Sequence, residues 1–535
     1  MKKLLSLLFV IPILISSAQN IDSLYNEFLR VRGINQNVKP RIAGETGLPI
    51  KCGFGIINQV KTNYDRFSPS QKKIISSLLL RPTTDTSFVS PSGWFRIHYD
   101  KTGYNAPGYD VNEITKAADS SYNYEVNILH YPPPPGDALE GGDNRYDIYI
   151  KYEGGGTDPT YGGTTPDQLI TDSTWTSYMD IDNNFGSNYY THGIDAARVT
   201  IAHELHHAIQ IGNYIDRYSL DGFYYELTST SMEEFVYNSI NDYYGYLDSY
   251  FRNPQRAFSS NKGYNLAIWN IFLKDRFGFD IIKRSWELMP AERALHAIAD
   301  AIQEKGSSFK VEFNTFGVWT YFTGGRSIPN KYFEEAANYP LINPTEITNS
   351  ITVSSEAVSN NFFKMYYNPS GGKDSVITLI TNSNITGGIT SPISTLLFTY
   401  TLSTSPITGG KKIAENFYSK LEPQSFILSE ANVLSGNVIF VETDYPFPQP
   451  FKYSVNNQIF IPAVKSDDGL VDLYIYSPDM NLVYSSQKHI VSNNQVFIIW
   501  DGRDNNNSKL GTGVYIYVTK SGDTVKKGKL VIQND

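Results

Sequence analysis

Hydrophobic and polar positions follow two rhythms along this chain, and the switches between them mark its organisation. Ile21 to Val31 places apolar side chains at helical spacing, and a second helix is predicted from Pro69 to Leu80. Ser68 stands as its N-cap, Pro69 at its first position, and Gln71 closes a capping box. From Phe95 the period shortens: Phe95 to Tyr99 alternates like a strand, as does Tyr146 to Tyr152 up to the Gly154-Gly155-Gly156 run, and Ser177 to Asp182 is a further strand candidate. Between the first two, Val111 to Leu129 returns to the helical period. Another helix is predicted after Asp195, a fitting cap, with Val199, Ala202 and Ile209 on its apolar face and Gly212 as its stop. Leu220 to Ile240 is mostly helical, and Tyr264 to about Pro340 is helix-rich, with apolar stripes around Trp269 and Trp286.

Beyond Pro340 helical periodicity ends. Ile351 to Val353, Val376 to Ile380, Leu396 to Tyr400 and Val438 to Val441 read as strands between Gly, Ser and Asn clusters. A Pro-rich boundary at Tyr445 to Pro450 precedes four more strand-like stretches: Leu473 to Tyr476, Phe497 to Trp500, Gly513 to Tyr517 and Lys529 to Ile532. The 535 residues are too many for one core. The pattern predicts a multidomain chain, an α+β domain with a helical C-terminal subdomain followed by two β-sandwich domains.

Composition sharpens this picture. Met1-Lys2-Lys3, the apolar run Leu4 to Ile15 and Ser16-Ser17-Ala18 read as a secretory signal peptide over 1–18. No later segment is long enough to span a bilayer, so a secreted or cell-surface protein is expected. Residues 19–90 form an N-terminal segment that reads as a propeptide, ending in a linker-like stretch from Arg81 to Ser87. The α+β domain then covers 91–340, an accessory sandwich 341–443 and a last sandwich 444–535. A net charge of −9 without a basic run excludes a nucleic-acid partner. A single cysteine, Cys52, excludes an intrachain disulfide framework.

The chemistry concentrates in Thr200 to Gln210, which contains His203-Glu204-Leu205-His206-His207. In this H-E-x-x-H pattern His203 and His207 share one helix face and can reach one metal ion, for which zinc is the natural choice. Glu204 is placed to take a proton from the metal's water as general base. His206 reads as a packed neighbour, and His192 as a loop residue. Asp180-Ile181-Asp182-Asn183-Asn184 lacks the glycine turn and distal Glu of an EF-hand loop and reads as a polar strand end.

Eighteen residues separate His207 from Glu226. This spacing resembles that of gluzincins of the aminopeptidase-like kind, which implies Glu226 as third ligand, supplied by the next helix. Glu233, two turns further on the same face, is then the acidic residue that orients a ligand imidazole. Tyr264, just before a helix, is similar in placement to the oxyanion-donating tyrosine of that group, or it packs in a tyrosine-rich core. For Cys52, followed by Gly53, two readings stay open. Its thiolate could fill the open zinc position of a latent precursor, as in cysteine-switch metalloproteases, or it is a buried thiol.

The order of strand, helix, strands and metal helix resembles a zincin catalytic domain, in which the strand before the metal helix is often the sheet edge and can receive an extended peptide. HELHHAIQ, MEEFVYN and Phe95 to Tyr99 resemble an uncharacterised group of secreted bacterial metalloproteases, across roughly residues 48 to 340. The Trp500-Asp501-Gly502-Arg503-Asp504 and Gly513-Val514-Tyr515 elements resemble the C-terminal immunoglobulin-like domain of flagellar hook-capping proteins and type IX secretion sorting tails. That resemblance implies export and sorting machinery as a partner. The expectation is a secreted zinc-dependent endopeptidase acting on proteins or peptides through a zinc-activated water. The alternatives are an aminopeptidase-like gluzincin, for which no GxMEN-like segment is seen, and a surface adhesin with an inert zincin domain.

Overall fold

The computed structural model describes residues 21–34, 48–153, 159–347, 350–367, 375–382, 398–404, 412–420, 424–433 and 446–534, the last without 455, 457, 467, 468 and 494. The signal-peptide stretch, the Gly154-Gly155-Gly156 run, Tyr445 and the predicted strand at Val438 to Val441 lie outside the described residues. The N-terminal segment contributes helix α1 (Ile21–Val31), the short strand β1 (Ile50–Cys52), α2 (Phe54–Thr62) and α3 (Pro69–Leu78). The capping box on α3 is present as predicted, Ser68 and Gln71 each bonding the other's backbone N–H. Leu24, Phe28, Val31, Ile50, Ile57, Val60, Phe67 and Ile75 give this segment a small core of its own. Its connection onward is no exposed linker: the half-buried Arg81 pairs with Asp137, Asp147 and Asp167, and Thr86 to Val89 joins the sheet.

The central sheet comprises β1, β2 (Thr86–Val89), β3 (Phe95–Tyr99), β4 (Tyr146–Lys151), β5 (Thr160–Thr171) and β6 (Thr174–Asp182), in the order β1-β5-β6-β4-β3-β2. β5 runs antiparallel to β6, and β1 lies parallel on the outer side of β5. This corrects the expected edge: β6, which precedes the metal-motif helix, is interior, because β5 pairs with it on one side and β4 on the other. Asp182 accepts the backbone N–H groups of Glu153, Asn184 and Phe185, the polar strand end that the sequence predicts.

Helices α4 (Val111–Tyr122) and α5 (Gly193–Asn213) pack on the sheet and α6 (Tyr218–Val236) packs on α5, with α4 continuing into a π-helical turn at Asn123–Ile128. The N-cap of α5 is His192, and Asp195 sits in its first turn instead of capping it. The helical half follows: α7 (Tyr244–Arg252), α8 (Ala267–Phe277), α9 (Asp280–Leu288), α10 (Ala294–Glu304) and α11 (Phe309–Tyr321). One apolar core runs from the sheet into these helices, through Ile201, Leu205, Trp269, Trp286 and Phe316. Cys52 and Phe54 belong to this main core and not to that of the N-terminal segment.

The C-terminal region is β-rich. Strands β7 (Thr345–Ile347), β8 (Ser350–Ser355), β9 (Ser359–Tyr367), β10 (Ser375–Asn382), β11 (Phe398–Thr404), β12 (Lys412–Lys420) and β13 (Gln424–Val433) form two sheets, β10-β13-β8 and β11-β12-β9-β7. The last unit sets β14 (Phe451–Lys452), β16 (Leu470–Tyr476), β17 (Leu482–His489), β20 (Gly513–Ser521) and β21 (Thr524–Gln533) in one sheet. β15 (Ile459–Pro462), β18 (Val491–Asn493) and β19 (Gln495–Trp500) form another, around Leu473, Ile475, Ile498, Trp500 and Tyr517. Among the described residues no helix is long and apolar enough to cross a membrane.

Candidate metal centre

Helix α5 packs against β5 and β6 with fifteen of its residues buried, so its motif residues have no solvent to screen them and depend on protein partners. His203, Glu204, His206 and His207 are all at most 1% exposed. The one-turn offset brings the His203 and His207 rings to 4.8 Å between centroids. Both Nε2 atoms point at a single oxygen, Oε2 of Glu226 on α6, at 3.2 and 3.3 Å.

Each imidazole is oriented from behind. Nδ1 of His203 lies 2.7 Å from Oε1 of Glu233, and Nδ1 of His207 lies 2.8 Å from Oε1 of Gln210 and 3.2 Å from the Ser229 hydroxyl. Gln210 is fixed in turn, its Nε2 donating to the Tyr225 carbonyl. Partners at both Nδ1 atoms leave both Nε2 atoms turned to Glu226, where they could face a metal, the arrangement that carboxylate and amide supports give metal-bound histidines. On the far side of Glu226, the Tyr218 hydroxyl donates to Oε1 at 2.8 Å. Close approach makes that bond: a Cβ on Gly55 would fall 2.2 Å from the Tyr218 oxygen.

Cys52 completes the cluster. The ligand atoms of Cys52, His203, His207 and Glu226 all lie within 4.8 Å of one another, and all four residues are buried. The Phe54 N–H donates to Cys52 Sγ at 3.2 Å, and the Phe54 ring stacks on the His207 imidazole with centroids 4.3 Å apart. Strand β1 delivers the cysteine by pairing with β5, where Gly53 N–H donates to the Gly162 carbonyl at 2.8 Å.

The electrostatics suit a cation. Burial opposes the charged form of Glu226, yet the charge and hydrogen bonds of the two imidazoles hold its pKa down at about 2. Burial likewise opposes a charged His203, and hydrogen bonds to Glu226 and Glu233 raise its pKa to about 9. The Cys52 thiol is pushed up by burial and by the carboxylates of Glu204 and Glu226. An N, N, O, S donor set of this kind fits zinc, which takes imidazole, carboxylate and thiolate in tetrahedral geometry.

Glu204 stands beside the cluster and outside it. Its Oε2 accepts from Thr164 Oγ1 of β5 at 2.8 Å, while Oε1 is buried without a hydrogen-bond partner. Burial raises its pKa, against the lowering pull of the neighbouring histidines and of the hydrogen bond from Thr164. Tyr264 is also nearby, its ring centroid 6.1 Å from that of His203. His206 faces away from the cluster, toward the buried Glu125 at 2.8 Å. Every residue the sequence singled out for chemistry is therefore within or against one cluster. Tyr218, Gln210 and Thr164 are additions: Tyr218 is one of 39 tyrosines, and a lone Gln or Thr carries no motif signal of its own.

Residues 100–305 match a family model described as a family of unknown function (DUF6055). The matched stretch holds His203, Glu204, His207, Glu226, Glu233 and Tyr264, whereas Cys52 precedes it. No curated protein matches the chain. Among solved structures, the chain is similar to one reported as PorZ, an essential bacterial surface component of the type-IX secretion system of Porphyromonas gingivalis. The identity is 14% and the TM-score 0.14, over 20% of this chain and 14% of that one. So slight a likeness assigns neither fold nor role.

Proposed function

We propose that the chain is a secreted zinc-dependent endopeptidase with a zincin-like catalytic domain, held in a thiolate-capped resting state. The observation that supports this most is the convergence of both imidazole Nε2 atoms on Glu226 Oε2, beside the unpartnered Oε1 of Glu204. His203, His207 and Glu226 would hold the metal, with Glu233 and Gln210 orienting the imidazoles. Zinc, when bound, supplies Lewis acidity toward a carbonyl and lowers the pKa of a water.

The chain's own residues supply the rest. Glu204 Oε1 accepts a proton from the attacking water as its oxygen bonds the scissile carbon. The same oxygen returns that proton to the amine nitrogen as the C–N bond breaks. Thr164 fixes the other carboxylate oxygen, so the proton moves at one defined atom. Tyr264, beside His203, is the hydroxyl available to the developing oxyanion.

Four protein donors make a closed set, and a catalytic centre needs an open position. Cys52 is the donor cast as the one that leaves, because it reaches the site on a three-residue strand at the sheet's edge. Residues of α1 and α2, among them Val31, Ile57 and Val60, pack in a separate core even though Cys52 and Phe54 sit in the main one. The Cys52 thiol also feels the charge of Glu204, the carboxylate beside which a reacting water would sit. The second reading, an inert domain with a purely structural Cys-His-His-Glu metal site, draws on the same fourfold cluster. The C-terminal unit is read as the part addressed by export and sorting machinery.

The deciding experiment measures zinc content and proteolysis of denatured protein for the Cys52→Ala chain with and without Glu204→Gln. Stoichiometric zinc in both, with cleavage lost only in the double variant, supports the peptidase. Zinc in both and cleavage in neither supports the structural site, and equal cleavage in both removes Glu204 from the mechanism.

A further inference from the structure

Lys51, the residue before Cys52, is as buried as its neighbour, with its side chain 2% exposed. Its Nζ lies 2.8 Å from Glu233 Oε2, pairs with Asp242 Oδ2, and stands 5.0 Å from the ring centroids of both Tyr161 and Tyr246. Asp242 is held for this purpose, its Oδ1 accepting from the Tyr161 hydroxyl at 2.9 Å. The walls come from β5, α6, α7 and the turn before α7, all outside the N-terminal segment, so the segment supplies the occupant and the main domain supplies the socket.

Two buried carboxylates and two aromatic faces are a cation site. With the ammonium gone, two like charges would face each other in a buried cleft, an arrangement that proteins avoid by pairing or protonation. The socket therefore calls for a positive group whenever Lys51 is absent. It also lies where an extended chain would put one. β1 lies on β5 in register Ile50 to Thr160 and Cys52 to Gly162, with Ile50 N–H bonded to the Pro159 carbonyl at 3.1 Å. A peptide using the same stretch of β5 by strand pairing presents a side chain to the same socket.

We propose that this socket is a specificity subsite for the ammonium or guanidinium of a basic residue in the polypeptide substrate, occupied by Lys51 while β1 lies on β5. The proposal rests on the peptidase reading and on withdrawal of residues 50–54. A leucine or glutamine placed there leaves Glu233 Oε2 and Asp242 Oδ2 without the cation between them, and selection for Lys or Arg on the order of 100-fold in kcat/KM follows.

Two measurements on the full chain test it. The first is thermal unfolding of Lys51→Ala with n-propylammonium, which restores the atoms removed, against n-propanol. A saturable rise in Tm with the amine alone, abolished by adding Asp242→Asn, supports a cation site. A variant that folds only when the amine is present supports it equally, and the same response to amine and alcohol overturns it. The second is mass-spectrometric mapping of cleavage sites in denatured protein by the Lys51→Ala/Cys52→Ala chain. Lys and Arg enriched at one fixed position from the cleaved bond, with the enrichment falling at least about tenfold in Asp242→Asn, supports the substrate assignment. Cleavage without such enrichment overturns it. Amine rescue without any cleavage sinks the peptidase reading and with it the substrate role, leaving a cation site.

Discussion

The Nδ1 atom of His203 lies 2.7 Å from Oε1 of Glu233, both groups buried in the facing helices α5 and α6. The bond aims Nε2 of the imidazole at the point where the other donor atoms meet. Glu233→Gln keeps the shape and removes the charge, so zinc affinity falls by roughly 10–100-fold, measured by competition with a chromogenic chelator. Glu226→Ala removes a donor outright and abolishes stoichiometric metal. If Glu233→Gln binds as tightly as the parent, the carboxylate does not tune the ligand imidazole and its pairing with Lys51 is its remaining role.

The same pair shows what the sequence disclosed. His203, Glu204 and His207 were legible because a helix converts i, i+4 spacing directly into a shared face. Glu226 and Glu233 were singled out only through the resemblance of their spacing to that of gluzincins. The strands β1 and β5 were not. β5 contains Gly162, Gly163 and Pro166, which mask its alternation, and β1 has only three residues. Their pairing joins residue 50 to residue 160, a contact that no local pattern encodes. For that reason the sequence left Cys52 with two readings, and Lys51 with none.

Cys52 carries the next prediction. In the cobalt-substituted protein, coordination by Sγ gives a sulfur-to-metal charge-transfer band in the near ultraviolet, and Cys52→Ala lacks it while keeping metal on the three remaining donors. In the peptidase reading the variant also gains proteolytic activity over the parent chain. An identical spectrum in parent and variant means that Cys52 is a buried thiol and nothing more.

Glu234 provides a stability test away from the metal ligands. Burial, together with the negative charge of Glu335, pushes its pKa up from the ordinary 4.5 to about 8, while its Oε1 keeps a bond from Asn238 at 2.8 Å. Between those two values the folded chain holds a proton that the unfolded chain has lost. This group therefore subtracts stability as pH rises from about 4.5 to about 8. Glu234→Gln keeps the neutral form at every pH. The variant is expected to match the parent near pH 4 and to exceed it by on the order of 1–3 kcal/mol at pH 8, read from denaturant midpoints. A difference independent of pH assigns the effect to packing.

Thr164 allows the proposed base to be tested apart from the proposed metal ligands. Its hydroxyl lies 2.8 Å from Oε2 of Glu204 and 2.9 Å from the Glu204 carbonyl, and it bonds none of the four donor atoms. Thr164→Val fills nearly the same space and withdraws the donor, leaving a buried carboxylate oxygen unpaired and the side chain free to turn. A hydrogen bond to a charged group contributes about 1.5–3 kcal/mol, so kcat is expected to fall by roughly 10–100-fold in the Cys52→Ala background. KM and zinc content stay level, because the substrate-pairing edge of β5 and the donor set are untouched. Thr164→Ser keeps the hydroxyl and restores kcat. Loss of zinc in the valine variant would instead make Thr164 a support of the metal cluster, and an unchanged kcat would show that Glu204 needs no such restraint.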